Sequence, residues 1–274
     1  MQDRECVALL QWALPRLQRP WAGFRKVRKQ VCQRVERRRR ALALPDIAAY
    51  RDYLATHADE WPALDDLCAI TISCFYRDTA MWEALTTEVL PELARRAVAR
   101  GAHAVQAASL GCASGEEPYT LTLAWQFALA PQFPGLRLEV TATDVVAAVL
   151  ERARVACYAA TNLKLLPPAW REHGFERMGE RYCLRARFRA GATFLQQDLR
   201  TAMPARRFDL ILCRNLVFTY FDTPTQQAML ARMLAQLEAG GALVIGRREA
   251  LPAGAGGLLP WPNAERQAIF RYTP

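Results

Sequence analysis

Two neighbouring carboxylates, Glu116 and Glu117, close a glycine turn that could bind a ligand. An apolar run precedes the turn at Gly111 and Gly115, and Pro118 suits the first turn of the helix that follows. Strand, glycine turn and helix form the order in which an α/β sheet presents a nucleotide-like ligand. An ordinary strand–helix connection is the alternative, because the turn lacks the Gly-x-Gly-x-x-Gly fingerprint and the Lys-Ser/Thr ending of a phosphate loop.

Polar residues also follow the next three predicted strands. Asp144 ends the second strand, where an acid can hold both hydroxyls of a ribose. Asp198 follows the third strand, where it could accept an adenine amino hydrogen, and Asn215 follows the fourth. Each acid alone could instead be a helix N-cap. Because parallel strands end at one sheet edge, the group as a whole predicts a ligand site.

The ligand that this pattern favours is a nucleoside without phosphates. Asp144 follows the second strand, but the turn after the first strand lacks a glycine pattern that binds pyrophosphate. S-adenosyl-L-methionine fits, since its sulfonium and amino groups are cationic and suit Glu117. We therefore expect this cofactor, with S-adenosyl-L-homocysteine as its product.

Composition narrows the remaining classes of function. No apolar run approaches the roughly 18 residues of a membrane span, and the first five residues do not begin a secretory signal. We therefore expect a cytoplasmic globular protein without membrane insertion. The eight cysteines contain no Cys-x-x-Cys pair, and the three histidines are far apart. We expect neither a metal site nor a disulfide framework.

Positive charge is concentrated in one segment of the chain. The net charge is +9, and Phe24 to Arg40 alone holds nine Lys or Arg against Glu36. Phe24, Val27, Val31 and Val35 recur every three or four residues, which predicts an amphipathic helix. Its charged face is either a solvated surface or a docking face for an acidic partner. Because the rest is near neutral, we expect no nucleic-acid binding.

The order of elements predicts the fold class. Residues 6–99 show helical patterns only, ending in an amphipathic linker helix. From residue 104 strands and helices alternate, which indicates an α/β fold with a doubly wound, mostly parallel sheet. We expect strands at 104–110, 137–143, 192–196, 208–213, 242–246 and 267–272, and helices at 118–130, 145–156 and 224–238. The predicted domains are a helical domain at 1–79, the linker helix at 80–101 and a cofactor domain at 102–274, with a small β subdomain inserted at about 160–191.

Several motifs, in one order, resemble those of CheR-type methyltransferases, which use S-adenosylmethionine to methylate chemoreceptor glutamates. The most specific are the Gly-Glu-Glu-Pro-Tyr stretch at 115–119 and the Cys-Arg-Asn stretch at 213–215. The others are Ala-Thr-Asp at 142–144, Tyr-Phe-Asp at 220–222 and Cys-Phe-Tyr-Arg-Asp at 74–78. The resemblance implies a helical N-terminal domain, a Rossmann-like methyltransferase domain and an inserted β subdomain.

The resemblance also implies roles for individual residues. The residues that it assigns to the cofactor are Thr71, Ser73, Arg77, Glu117, Asp144, Asp198, Leu199, Asn215 and Leu216. Arg77 and Tyr220 would lie near the transferable methyl group as catalytic residues. The implied partner is an acidic protein, namely chemoreceptor cytoplasmic helices that contact the basic segment 24–40.

The chain departs from the family pattern at a few positions. Members usually carry Asn where this chain has Thr71, and often where it has Asp198. The segment from Asn215 to Tyr220 is one residue longer here, and Gly-Arg-Arg-Glu at 246–249 replaces Gly-His-Ser-Glu. These changes leave two alternatives open: a methyltransferase for a small molecule or a non-chemotactic protein, and a non-catalytic cofactor-binding module.

Carboxylate methylation asks for little catalytic machinery. A glutamate side chain is already ionised at neutral pH, so it needs no general base. Catalysis would consist mainly of aligning the carboxylate oxygen, the methyl group and the sulfur while water is excluded. A His or Cys nucleophile is not required.

Overall fold

A computed structural model describes residues 3–71 and 73–274 of the chain. It divides into two compact units. The first comprises Met1–Ile70 and Thr219–Gln226, and the second comprises Thr71–Phe218 and Gln227–Pro274.

The first unit is built from helices packed around an apolar core. Its helices are α1 (Asp3–Ala13), α2 (Trp21–Phe24), α3 (Arg28–Ala41), α4 (Ile47–Thr56) and α5 (Glu60–Leu67). The Asp46 side chain caps α4 by accepting the Ala49 N–H at 2.8 Å. Val31 and Val35 are buried in α3, as the apolar spacing predicted, but the predicted single helix is interrupted at 25–27, because α2 ends at Phe24 and α3 begins at Arg28.

The second unit begins with a long helix and continues as a sheet. The helix consists of α6 (Thr79–Ala84), a π-helical turn (Leu85–Val89) and α7 (Leu90–Ala99). The sheet strands are β1 (Ala104–Leu110), β2 (Arg137–Asp144), β6 (Ala192–Gln196), β7 (Phe208–Cys213), β8 (Leu237–Ile245), β9 (Leu258–Pro260) and β10 (Ile269–Tyr272).

Within the described residues this sheet has the order β6-β2-β1-β7-β8-β10-β9. The first five of these strands are parallel, whereas β10 runs antiparallel to β8 and β9 antiparallel to β10. The connecting helices are α8 (Glu116–Ala124, continued by a π-helical turn), α9 (Ala147–Val155), α12 (Val217–Tyr220) and α13 (Thr223–Gln236). The prediction of a doubly wound, mostly parallel α/β sheet is confirmed.

A small antiparallel sheet is inserted between β2 and β6. It consists of β3 (Cys157–Ala159), β4 (Phe175–Met178) and β5 (Arg181–Leu184) in the order β3-β5-β4. Helices α10 (Pro168–Gly174) and α11 (Ala186–Arg189) flank its hairpin. The predicted β subdomain is therefore confirmed, because the alternating apolar residues of this region form paired strands.

Two disulfides correct the expectation that the chain has no disulfide framework. Cys157 and Cys183 lie directly opposite each other on β3 and β5 and are bonded. Cys6 and Cys32 join α1 to α3. Neither pair has a local sequence signal, because each cysteine meets its partner through tertiary packing at a separation of 26 residues.

No helix in the described residues has the length and apolarity that crossing a membrane requires. Residues 3–71 and 73–274 also contain no group of three or more His, Cys, Asp or Glu side chains arranged to hold a metal ion.

Candidate functional site

The candidate site lies in the second unit, where the parallel strands end. Leu110 pairs with Thr143 and Asp144 pairs with Gln196, so the polar residues after β1, β2 and β6 are neighbours. The Gly111 N–H donates to the Thr143 carbonyl at 2.8 Å. The structure therefore brings together the residues that sequence analysis assigned to the ends of these strands.

The turn after β1 requires glycine at two positions. Gly111 has φ +75° and Gly115 has φ +90°, a left-handed region that L side chains rarely adopt. A Cβ on Gly111 would lie 2.5 Å from Cδ2 of Leu216, and one on Gly115 would lie 3.0 Å from Cβ of Ala153. The turn can therefore pack closely only because these side chains are absent.

Asp144 fixes the glycine turn through its carboxylate. One oxygen accepts the Ala113 N–H at 2.9 Å and the other accepts the Val146 N–H at 3.0 Å. Burial raises the pKa of Asp144, while these backbone N–H groups oppose that rise. A carboxylate has about four acceptor positions, so capacity remains for ribose hydroxyls.

Glu117 is held by two donors at the start of α8. The Ser109 hydroxyl donates to Oε1 at 2.8 Å, and Nη1 of Arg214 donates to Oε2 at 3.0 Å. The Glu117 side chain is 14% exposed, so a ligand could still reach its carboxylate. An ammonium group is the natural ligand for a carboxylate fixed in this way.

Glu116 has a structural role that the sequence did not reveal. Its side chain is buried, and it accepts the Asn162 side-chain N–H at 3.2 Å and a hydrogen bond from the Ser73 hydroxyl. Burial raises the pKa of Glu116 above its ordinary value. Glu116 thus joins three segments: α8, the segment before α6 and the chain that follows β3.

The segment from Thr71 to Asp78 also lies in the second unit. Thr71, Ser73 and Arg77 are half-buried, and the Arg77 carbonyl accepts Nη2 of Arg214 at 3.1 Å. The Tyr76 N–H donates to the Thr120 hydroxyl of α8 at 3.1 Å. These bonds attach the segment that carries the predicted cofactor residues Thr71, Ser73 and Arg77 to the strand ends.

The predicted cofactor residues after β6 and β7 form different contacts within the chain. Asp198 forms an ion pair with Arg200 at 2.7 Å, and the neighbouring Leu199 is buried. Asn215 has φ +54° and donates its N–H to the Glu249 carboxylate at 2.8 Å. Leu216 packs over Gly111.

Tyr220, the second predicted catalytic residue, belongs to the first unit. Its buried ring packs against Phe24 with 5.2 Å between the centroids.

Sequence reasoning missed three residues that hold the predicted site together: Ser109, Arg214 and Glu249. Arg214 lies in the Cys-Arg-Asn motif at 213–215, where the sequence analysis predicts a role only for Asn215. The missed signal was a cation directly after a buried strand, since an arginine there needs acidic partners.

Comparisons with known proteins identify this region as a methyltransferase domain. Residues 72–259 match the family described as CheR methyltransferase, SAM binding domain. A chemotaxis protein methyltransferase of Listeria monocytogenes is 32% identical, over 67% of this chain and 66% of that protein. An uncharacterised 104.1 kDa protein of Rhodobacter capsulatus is 32% identical over 81% of this chain, which spans 23% of its length.

A third relative carries a different name. A probable biofilm formation methyltransferase of Pseudomonas aeruginosa, WspC, is 31% identical over 87% of this chain and 56% of its own length. The chain thus spans less than two thirds of the length of each of these three relatives.

Proposed function

Because this chain belongs to the CheR methyltransferase family, we propose that it forms methyl esters on glutamate side chains of chemoreceptors. Its cofactor is S-adenosyl-L-methionine. The observation that carries the proposal is a single strand-end edge where the glycine turn, Glu117 and Asp144 meet within the matched domain.

The residues at this edge suit the cofactor. Thr143 Oγ1 and Gln197 Oε1 are buried and have no hydrogen-bond partner among the described residues. Glu117 would hold the amino group and Asp144 the ribose hydroxyls. Gln197 Oε1 could accept a ligand N–H in place of Asp198, whose carboxylate binds Arg200.

The cofactor supplies a methyl group already activated on a sulfonium. This chain would contribute alignment, with Glu117 and Asp144 holding the donor in place. The family resemblance assigns Arg77 and Tyr220 to the incoming carboxylate, and we retain those roles as predictions. The substrate carboxylate is ionised at neutral pH, so no group of the chain has to remove a proton.

The basic segment 24–40 supports an acidic protein as the partner. Several of its arginines are used internally, since Arg38 pairs with Glu60 at 2.6 Å and Arg39 with Glu36 at 2.8 Å. The cations that are exposed and form no ion pair with any residue the structure describes are Arg25, Lys26, Lys29 and Arg37. These side chains could attract acidic receptor helices.

The proposal is tested by methyl transfer from labelled cofactor to receptor cytoplasmic domains. We expect label that base releases, as methyl esters require, and none with Asp144→Ala, which should lose cofactor affinity. Stable label, or no label on any receptor, would contradict the glutamate assignment. Calorimetry with S-adenosylhomocysteine separates this result from loss of the cofactor site, because no binding below about millimolar would contradict every enzymatic proposal.

A second candidate is methylation of a small molecule or of a protein outside chemotaxis. The longer segment from Asn215 to Tyr220 favours it, and so does the name of the Pseudomonas relative. Cofactor binding together with transfer to a non-chemotactic acceptor, and none to receptors, would support this candidate.

A further inference from the structure

We infer that Arg214 is a positioning residue that connects the cofactor-binding carboxylate Glu117 to the segment carrying Arg77. The inference rests on the proposed function for the roles of Glu117 and Arg77. It assigns to Arg214 no contact with the cofactor or the substrate.

The contacts of Arg214 join two separate parts of the second unit. Its side chain is 4% exposed directly after β7. Nη1 donates to Glu117 Oε2 at 3.0 Å, while Nη2 donates to Asp78 Oδ2 at 2.5 Å and to the Arg77 carbonyl at 3.1 Å. One rigid guanidinium therefore fixes the start of α8 and the end of the segment before α6 together.

The charges at this point leave room for a cationic ligand. Arg214 faces two carboxylates, those of Glu117 and Asp78, whose side chains are 14% and 30% exposed. One guanidinium offsets only one of the two negative charges. The remaining charge can meet the amino end of the cofactor, while Arg214 still holds Asp78.

The backbone of the connected segment depends on such restraints. Tyr76 has φ +57° and Asp78 has φ +62°, values that non-glycine residues adopt rarely. Conformations of this kind persist where the surrounding structure fixes them. Thr120 holds Tyr76 from one side and Arg214 holds Asp78 from the other, so the direction of the intervening Arg77 follows from both.

A buried ion pair that only supports the fold is the competing explanation. Arg100 provides a comparison in the same unit: its side chain is 40% exposed, but it pairs at 2.8 Å with Asp209, whose side chain is 3% exposed. If Arg214 were only structural, Arg214→Gln and Arg100→Gln would differ in stability at most. If Arg214 positions Arg77, the segment before α6 would stay mobile in Arg214→Gln even when the cofactor is bound. In Arg100→Gln, cofactor binding would still order that segment.

Hydrogen exchange of the full-length chain with and without S-adenosylhomocysteine tests the connection directly. At saturation verified by calorimetry, we expect the ligand to slow exchange of the 76–79 amides by about tenfold or more in the wild type and Arg100→Gln. In Arg214→Gln and Asp78→Asn, we expect slowing by less than about threefold. Full protection of these amides in Arg214→Gln at equal occupancy would overturn the inference.

Kinetics give a second readout. Arg214→Gln and Asp78→Asn should each lower kcat for methyl transfer by about 10- to 100-fold, and the double variant should be no slower than Arg214→Gln because both changes break one connection. Rates are compared at saturating cofactor, because Asp78→Asn removes one of the two carboxylate charges and should weaken binding of S-adenosylhomocysteine even though Glu117 stays paired. Multiplying effects in the double variant would contradict a shared connection.

Two further outcomes are decided by the same experiment. If the wild type binds S-adenosylhomocysteine but methylates no receptor, the proposed function fails, and the exchange data alone decide the role of Arg214. If Arg214→Gln does not fold, Asp78→Asn decides, because it keeps the pair between Arg214 and Glu117.

Discussion

Glu116 is a buried acid whose ionisation should oppose folding. Burial raises the pKa of Glu116 in the folded chain above its ordinary 4.5, so folding favours the protonated form. The associated stability is present below pH 4.5 and is lost as the pH rises through the raised pKa. We predict that Glu116→Gln raises the Tm by a few degrees at pH 8, and that this gain disappears near pH 4, as measured by thermal unfolding.

Glu36 offers a control of opposite sign for that prediction. Hydrogen bonds from Arg39 lower the pKa of Glu36 to about 2, so its stabilisation is present above the ordinary value of 4.5 and is lost as the pH falls toward 2. Glu36→Gln should therefore lower the Tm at neutral pH and lose its effect in acid. A Glu116→Gln gain that did not depend on pH would show that packing, and not ionisation, is responsible.

Gly111 allows backbone strain and steric conflict to be separated. Gly111→Ala adds a methyl that meets Leu216, whereas Gly101→Ala at a similar φ of +72° meets nothing within 4 Å. Both should lose about 1 kcal/mol from the left-handed backbone, and Gly111→Ala should lose about 1–3 kcal/mol more from overpacking. Urea unfolding measures the stability, and calorimetry should show weaker S-adenosylhomocysteine binding for Gly111→Ala alone. Equal losses in both variants would contradict a steric role for Leu216.

At the scale of elements, the two disulfides form a matched pair. Each closes a separation of 26 residues, for which loop entropy predicts about 3.5 kcal/mol of stabilisation. Cys157 adjoins Tyr158, whose hydroxyl donates to the Ser114 carbonyl in the glycine turn at 2.7 Å. We predict that Cys157→Ser/Cys183→Ser lowers both stability and S-adenosylhomocysteine affinity, as measured by urea unfolding and calorimetry.

Cys6→Ser/Cys32→Ser is the control for that prediction. It removes a disulfide of equal sequence separation from the helical unit, so it should lower stability without changing the affinity for the cofactor. An unchanged affinity in Cys157→Ser/Cys183→Ser would show that β3 does not support the glycine turn.

Some elements were predictable because local pattern determines them. Ala104–Leu110 and Phe208–Cys213 are short apolar runs bounded by turn residues, and both strands match the predicted limits. Strand β8 begins at Leu237 instead of residue 242, because pairing with β7 continues through an irregularity near Phe208. Pairing across an irregular register has no local signal.

The predicted site also contains residues that the sequence identifies and contacts that only the folded chain creates. The residues after each strand could be named from the sequence, since parallel strands must end at one edge. The connection made by Arg214 could not be, because its acids lie 97 and 136 residues away along the chain. The burial of Glu116 likewise depends on Asn162, in a region whose path the sequence left open.

At the scale of the whole molecule, the net charge of +9 is concentrated in the segment 24–40, so it should steer acidic partners to one face. We predict that Arg25→Glu/Lys29→Glu raises the KM for receptor methylation about tenfold at low salt, with kcat unchanged, and that screening removes the difference near 0.5 M salt. Arg95→Glu/Arg137→Glu changes the net charge equally at exposed positions of the second unit and should leave KM unchanged. Equal effects in both pairs would assign the steering to total charge, and an effect that persists at high salt would indicate direct contact instead of long-range attraction.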